Sequence, residues 1–160
     1  MEIIDRILQK LGSHEDFPGV TAENINGYNR LVVPREKLLD ICKSLKTKYA
    51  FDMLIDIVGV DRFTKINRFE VIYNLWSNES KCRLFLRIAL DSMKPEIESV
   101  TPIWSTANWQ EREVFDMFGI VFLNHPDLRR IYMMDSYEYF PLRKDFPLTG
   151  LPGSVELPKK

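Results

Sequence analysis

A chain of 160 residues, 45% hydrophobic and 28% charged, is long enough for one packed core and short for two; this balance excludes the disordered and collagen-like classes. The formal net charge of -1, with Lys and Arg scattered among acids, provides no positive field for phosphates, so nucleic acid is not an expected partner. No apolar run reaches the roughly 20 residues that cross a bilayer; Met1-Glu2-Ile3-Ile4-Asp5-Arg6 lacks the pattern of a signal peptide, and Cys42 and Cys82 read as apolar thiols in a reducing, cytoplasmic setting.

In chain order, Ile3, Ile4, Ile7, Leu8 and Leu11 recur at helical spacing and Gly12 follows as a stop, which predicts a short amphipathic helix. Asn26-Gly27 separates two short segments as a tight hairpin turn does. Pro34 then opens a helix with Leu38, Ile41, Cys42, Leu45 and Tyr49 along one stripe. Phe51 to Val60 reads as a strand carrying Asp52 and Asp56 on one side, and Asp61 to Asn67 as a polar turn. The next strand places Phe69, Val71, Tyr73 and Leu75 on one face. After the Ser77–Lys81 hairpin, another places Cys82, Leu84, Leu86, Ile88 and Leu90 on one face, with Arg83 and Arg87 opposite on a solvated or partner-facing side.

Strands joined by short turns imply an α+β fold, with an antiparallel or mixed sheet and helices packed on one face. Prolines 141, 147, 152 and 158 with Gly150 and Gly153 exclude regular helix, so residues 141–160 read as an extended C-terminal tail after a 1–140 domain; the apolar Leu142, Phe146, Leu148 and Leu151 favour an arm lying on a partner.

Ala107 to Gly119 predicts a helix, with Asn108 and Glu111 spaced as a capping box and Gly119 as its end. On the helical wheel Val114, Phe115, Met117 and Phe118 form the apolar face; Trp109, Arg112, Glu113 and Asp116 gather on the other, where Arg112 and Asp116 can pair. Glu111 falls on the apolar arc and needs a partner, for which the Arg129-Arg130 pair in the following loop is the expected source. Neither a second carboxylate nor a nucleophile accompanies Glu111, and His125 stands apart from His14, so structural roles are preferred to acid–base or metal chemistry. A free-standing hydrolase using Glu111 with His125 is the competing reading from another class. Gly-rich phosphate loops, Cys clusters, His pairs and nucleophile elbows do not occur.

Three blocks in order, Glu111-Arg112-Glu113-Val114-Phe115-Asp116-Met117-Phe118-Gly119-Ile120, His125-Pro126-Asp127-Leu128-Arg129-Arg130-Ile131 and Pro141-Leu142-Arg143-Lys144-Asp145-Phe146-Pro147, resemble the signature of the C-type subunit family of NADH:quinone oxidoreductase, respiratory complex I. Ser99 to Trp104 and Ala107-Asn108-Trp109 also match, while the first ninety or so residues agree only in their pattern of elements; Asn124 stands where many members have Gly. The resemblance implies a peripheral-arm subunit on the cytoplasmic side of the bacterial inner membrane that binds no cofactor. It docks on cluster-bearing subunits and on the D-type subunit, and FMN, iron–sulfur clusters and quinone belong to its partners. Membrane association then comes only through the complex, and catalysis belongs to the assembly. Glu111, Arg112, Glu113, Asp116, His125, Asp127, Arg129, Arg130, Arg143, Lys144 and Asp145 carry over as a structural and interface motif, with no catalytic residue. A homologous subunit of a membrane-bound hydrogenase, or of a ferredoxin- or deazaflavin-linked dehydrogenase, shares this signature and is the alternative within the class.

Overall fold

The computed structural model describes residues 19–147 and 149; the predicted N-terminal helix at Ile3 to Leu11 lies outside them. Strands β1 (Thr21–Ile25) and β2 (Tyr28–Val32) meet at the Asn26-Gly27 turn, where both residues take positive φ, 52° and 86°. That is the backbone such a two-residue hairpin requires, and Asn and Gly tolerate it best. A 3₁₀ turn at Arg35–Lys37 precedes α1 (Leu38–Tyr49), so the helix begins one turn later than Pro34 suggests. Its stripe Leu38, Ile41, Cys42 and Leu45 is buried as the spacing predicts, and Ala50 ends it in the left-handed region at φ 54°.

Strands β3 (Met53–Asp61), β4 (Phe69–Ser77) and β5 (Cys82–Leu90) form an antiparallel meander, and the five-stranded sheet has the order β1-β2-β5-β4-β3. Because β5 returns to lie parallel to β2, the sheet is mixed. Parallel neighbours need a long crossover, and α1 begins it, carrying the chain from β2 over one face of the sheet toward β3 at the far edge. Alternation is clean: Phe69, Val71, Tyr73 and Leu75 of β4 and Leu84, Leu86, Ile88 and Leu90 of β5 are buried under the helices, in one cluster with the α1 stripe. On the opposite face, Glu70 is held by Arg62 and Arg87. Arg87 is therefore an ion-paired residue, while Arg83 is exposed.

A second, two-stranded parallel sheet joins β6 (Glu96–Glu98) to β7 (Val121–Leu123), with α2 (Ala107–Phe118) as its crossover. Strands of three residues are too short for alternation to reveal them. Helix α2 lies against β3, and Gly59 makes the close approach possible: a Cβ there would stand 2.6 Å from Phe118 Cδ2 and 3.0 Å from Val114 Cγ1. We therefore expect Gly59→Ala to lower the urea midpoint of the purified chain by an overpacking cost of about 1–3 kcal/mol, and Phe118→Leu to restore part of it. An unchanged midpoint for Gly59→Ala would show that Phe118 moves freely and that this contact does not position α2.

Candidate functional site

Helix α2 starts without a side-chain cap: its N-cap is Thr106, so Asn108 and Glu111 do not form the expected capping box. The backbone of the preceding turn does the work instead, Ala107 N donating to Trp104 O at 3.0 Å and Asn108 N to Ser105 O at 3.2 Å. This frees the Glu111 carboxylate, which is fully buried as its place on the apolar arc predicts. Its partner is not an arginine. Ser99 Oγ donates to Glu111 Oε2 at 2.6 Å and Val100 N to Oε1 at 2.7 Å. Burial pushes the carboxyl up to about 7, against those two hydrogen bonds that favour the charged form. The expectation of a guanidinium fork fails because the Arg129 side chain turns out to the surface and pairs with Asp127, while Arg130 is taken by Asp116.

His125 closes the other side of Glu111. Asp127 N donates to Nδ1 at 3.0 Å, so the ring proton sits on Nε2, which donates to Asn108 O at 3.1 Å. The Nε2–Oε2 separation of 3.8 Å is beyond hydrogen-bond range, and both side chains are sealed from solvent. With the imidazole engaged at both nitrogens and no opening to a substrate, the pair lacks the access that a hydrolase requires.

One turn along the helix, Asp116 is also completely buried, contrary to its polar-face position on the wheel. Its Oδ2 accepts from the backbone amides of Ile131 (3.0 Å), Tyr132 (2.7 Å) and Met133 (3.0 Å), and its Oδ1 from Arg130 at 2.7 Å. Burial raises the carboxyl, but these donors outweigh it and hold Asp116 below the usual carboxylate range. Arg112 is buried as well. It does not pair with Asp116 but donates to Arg129 O at 3.1 Å and Arg130 O at 3.4 Å, with its guanidinium 4.6 Å from the exposed Trp109 ring. The loop after β7 thus folds back along the helix and converts two wheel-polar residues into its anchors. Glu113 stays exposed, and Asp127 and Arg129 form a surface pair at 2.9 Å, of a kind that stabilises little.

The C-terminus of α2 leaves carbonyls that need donors. Gly119, at φ 71°, ends the helix as predicted and returns its N–H to Phe115 O. Arg130 donates to Asp116 O at 3.1 Å, Leu142 N to Met117 O at 3.1 Å and Arg143 Nε to Phe118 O at 2.6 Å. Residues 141–147 are therefore joined to the helix end. Arg143 and Phe140 close over Gly119 so tightly that a Cβ there would meet them at 2.5 and 2.6 Å. Further along, Lys144 N donates to Asp61 Oδ2 at 2.8 Å, and Arg68 bridges Asp61 at 2.7 Å and Asp145 at 2.8 Å. Burial opposes ionisation of Asp61, yet Arg68 and the amides of Lys144 and Phe63 bring it down to about 2.

Asp61 and Arg68 do not stand out by sequence motif, and strand alternation does not join them either, since the register sets Asp61 opposite Phe69 and Arg68 lies just before β4. Asp52 and Asp56 do not form a dyad. Asp52 accepts from Asn78, and Asp56 caps its own neighbour Ile57 N. Cys42 and Cys82 are free thiols, the first buried and the second half-buried. Among the described residues no three His, Cys, Asp or Glu side chains are placed to hold a metal ion.

Residues 31–152 match the family described as respiratory-chain NADH dehydrogenase, 30 kDa subunit. The chain belongs to this family. Similar sequences include the second C-type subunit of NADH-quinone oxidoreductase from Rhizobium etli, 46% identical over 137 residues that cover 82% of this chain and 73% of that protein. The C-type subunit of the same enzyme from Geobacter metallireducens is 44% identical over 150 residues, covering 93% and 92%. Among solved structures, the trypsin-resistant fragment of Nqo5 superposes with a TM-score of 0.70 at 34% identity, over 79% of this chain and 99% of the fragment. A chain of the archaeal membrane-bound sulfane sulfur reductase has a TM-score of 0.76 over 92% of this chain and 85% of its own; at 24% identity it shares the fold. After β7, Asn124 stands at φ 60°, in the left-handed region that Asn tolerates better than most residues, with its side-chain amide donating to Glu98 at 2.8 Å.

Proposed function

We propose that the chain is the cofactor-free C-type subunit in the peripheral arm of a proton-translocating NADH:quinone oxidoreductase, a structural member of an enzyme whose chemistry lies elsewhere in the assembly. The observation that supports this is how the family's signature is used. Its buried charges, Glu111, Arg112, Asp116 and Arg130, bind backbone and one another rather than line a substrate site. They fix helix, loop and tail as one shaped body, which is the work of a docking subunit. On this reading FMN, iron–sulfur clusters and quinone sit in partner subunits, and the chain reaches the cytoplasmic face of the cell membrane through them. No helix among the described residues is long and apolar enough to cross a membrane.

The finer assignment is a body formed by residues 1–140 and a proline-rich arm, 141–160, whose first residues, 141–147, are seated on that body and whose remainder reaches neighbouring subunits, the D-type subunit foremost. A cut at Pro141 is a poor test, because Leu142 and Arg143 cap α2. Truncation after Pro147 separates folding from docking. The purified shortened chain should melt within about 0.5 kcal/mol of the full one, as for changes away from buried features. Pulled from detergent-solubilised membranes, it should lose the flavin- and iron–sulfur-bearing partners that the full chain retains. Undiminished co-purification would sink the arm, and the identity of the donor subunit recovered with the full chain separates NADH from hydrogen or ferredoxin as electron source.

A further inference from the structure

We infer that Arg143 is half of an unfinished ion pair, a receptor for one carboxylate side chain of a neighbouring subunit, seated in the cavity beside the α2 terminus. The inference rests on the docking reading above and names one contact within it.

The guanidinium stands 4.3 Å from the Phe140 ring centroid and 5.0 Å from that of Phe69, and closes over Gly119. Only Nε has a hydrogen-bond partner among the described residues, Phe118 O. The side chain borders a cavity of about 390 Å³ that Tyr139, Phe140, Glu138 and Asp145 also line. A guanidinium held flat by aromatic rings keeps its fork pre-organised, so little freedom is lost when a carboxylate arrives.

Comparison with the other buried and half-buried arginines shows what is missing. Arg130 has Asp116, Arg68 has both Asp61 and Asp145, and Arg112 faces two carbonyls. Asp61 and Asp145 lie in the field of Arg143 but are already hydrogen-bonded to Arg68, whose own charge acts against it. Burial and that like charge push Arg143 below the ordinary arginine range. A half-buried cation so placed is stabilised by one added negative charge.

The class of ligand follows from the rim. Glu138 and Asp145 on the rim repel a dianionic phosphate about twice as strongly as a singly charged carboxylate, which matches the one free fork. A protein side chain is favoured over a free acid because Phe140, Phe146 and Pro147 offer the apolar contact that an approaching peptide covers.

The test uses the intact complex in membranes, with p-benzoylphenylalanine in place of Tyr139, a cavity residue whose side chain makes no hydrogen bond among the described residues. After illumination, the cross-linked peptide should come from a neighbouring subunit and carry Asp or Glu at the adduct. Neutralising that acid, or Arg143→Gln, should each speed loss of this chain from the complex on the order of 30-fold, as for truncation of one partner of a desolvated pair; the two together should cost no more than either. A melt of each purified chain variant corrects for folding. Cross-links only to residues 148–160 of this chain, to lipid or to a peptide without an acid would overturn the inference, as would additive losses. In all of those outcomes retention of the chain by its partners still leaves the docking reading standing.

Discussion

Asp116→Ala should lower the stability of the purified chain by roughly 4 kcal/mol, the largest effect expected of any single truncation in the signature. The carboxylate accepts three consecutive backbone amides, those of Ile131, Tyr132 and Met133, and the Arg130 guanidinium. Removing it leaves those donors and a largely buried cation without their acceptor, and water cannot replace it while the loop stays in place. The loop must therefore leave, and Arg130 then releases Asp116 O and Tyr139 O together. Asp116→Asn keeps one acceptor oxygen but loses the charge, so it should fall about midway. Two measurements check this: the urea midpoint, and hydrogen exchange at the Ile131, Tyr132 and Met133 amides, which should accelerate far more than that of β4 amides. A loss below about 1 kcal/mol, the range of an ordinary hydrogen bond, would mean that the loop is held by its apolar contacts and that the carboxylate is incidental.

That result bears on how much the sequence can reveal. The hairpin turn, the α1 stripe, the strand faces and the Gly119 stop are written in local chemistry and in periods of two and 3.6, so they are legible without partners. The mixed character of the sheet stays open at that level, since nothing in β2 or β5 alone says that they lie side by side. The wheel places Arg112 and Asp116 on the solvent side because it treats the helix as isolated. The loop that covers them comes from residues 124–133, and its amides carry no mark in the sequence. Glu111 shows the converse. Its burial is readable from its place among Phe115 and Phe118, but its donors, Ser99 and the Val100 amide, belong to a turn beyond β6 that only the second crossover brings near. Charged partners invite pairing by sign, whereas here backbone amides serve both buried acids.

The difference between those two acids predicts opposite responses to pH. Glu111 is raised from an ordinary 4.5 to about 7 in the fold, so between these values the native chain holds a proton that the unfolded chain has released. Stability then falls as pH rises through that window, because the native state binds more protons. The full drop is roughly 3 kcal/mol, complete a little above pH 7. Asp61 and Asp116 are depressed, so their contributions are present above about pH 4 and are lost on acidification. Together these groups put the maximum near pH 4 to 5, below the range usual for proteins. Glu111→Gln should remove the alkaline limb, leaving stability flat within about 1 kcal/mol from pH 5 to 8, since the amide can still accept from Val100 N but cannot ionise. Glu111→Ala should lie about 3 kcal/mol below Glu111→Gln at every pH, by orphaning Ser99 and Val100 over a cavity. Denaturation of the three chains at pH 5, 6, 7 and 8 decides it. If wild type and Glu111→Gln run parallel, the carboxyl is ionised in the fold throughout, as it is in the unfolded chain, and its burial must be compensated by more than the two hydrogen bonds it accepts. If they converge at low pH, draw apart from about pH 5 and run parallel again above about 7, the carboxyl ionises beneath α2 around neutrality, and the turn at Ser99 and Val100 carries its stabilising hydrogen bonds only against the cost of that buried charge.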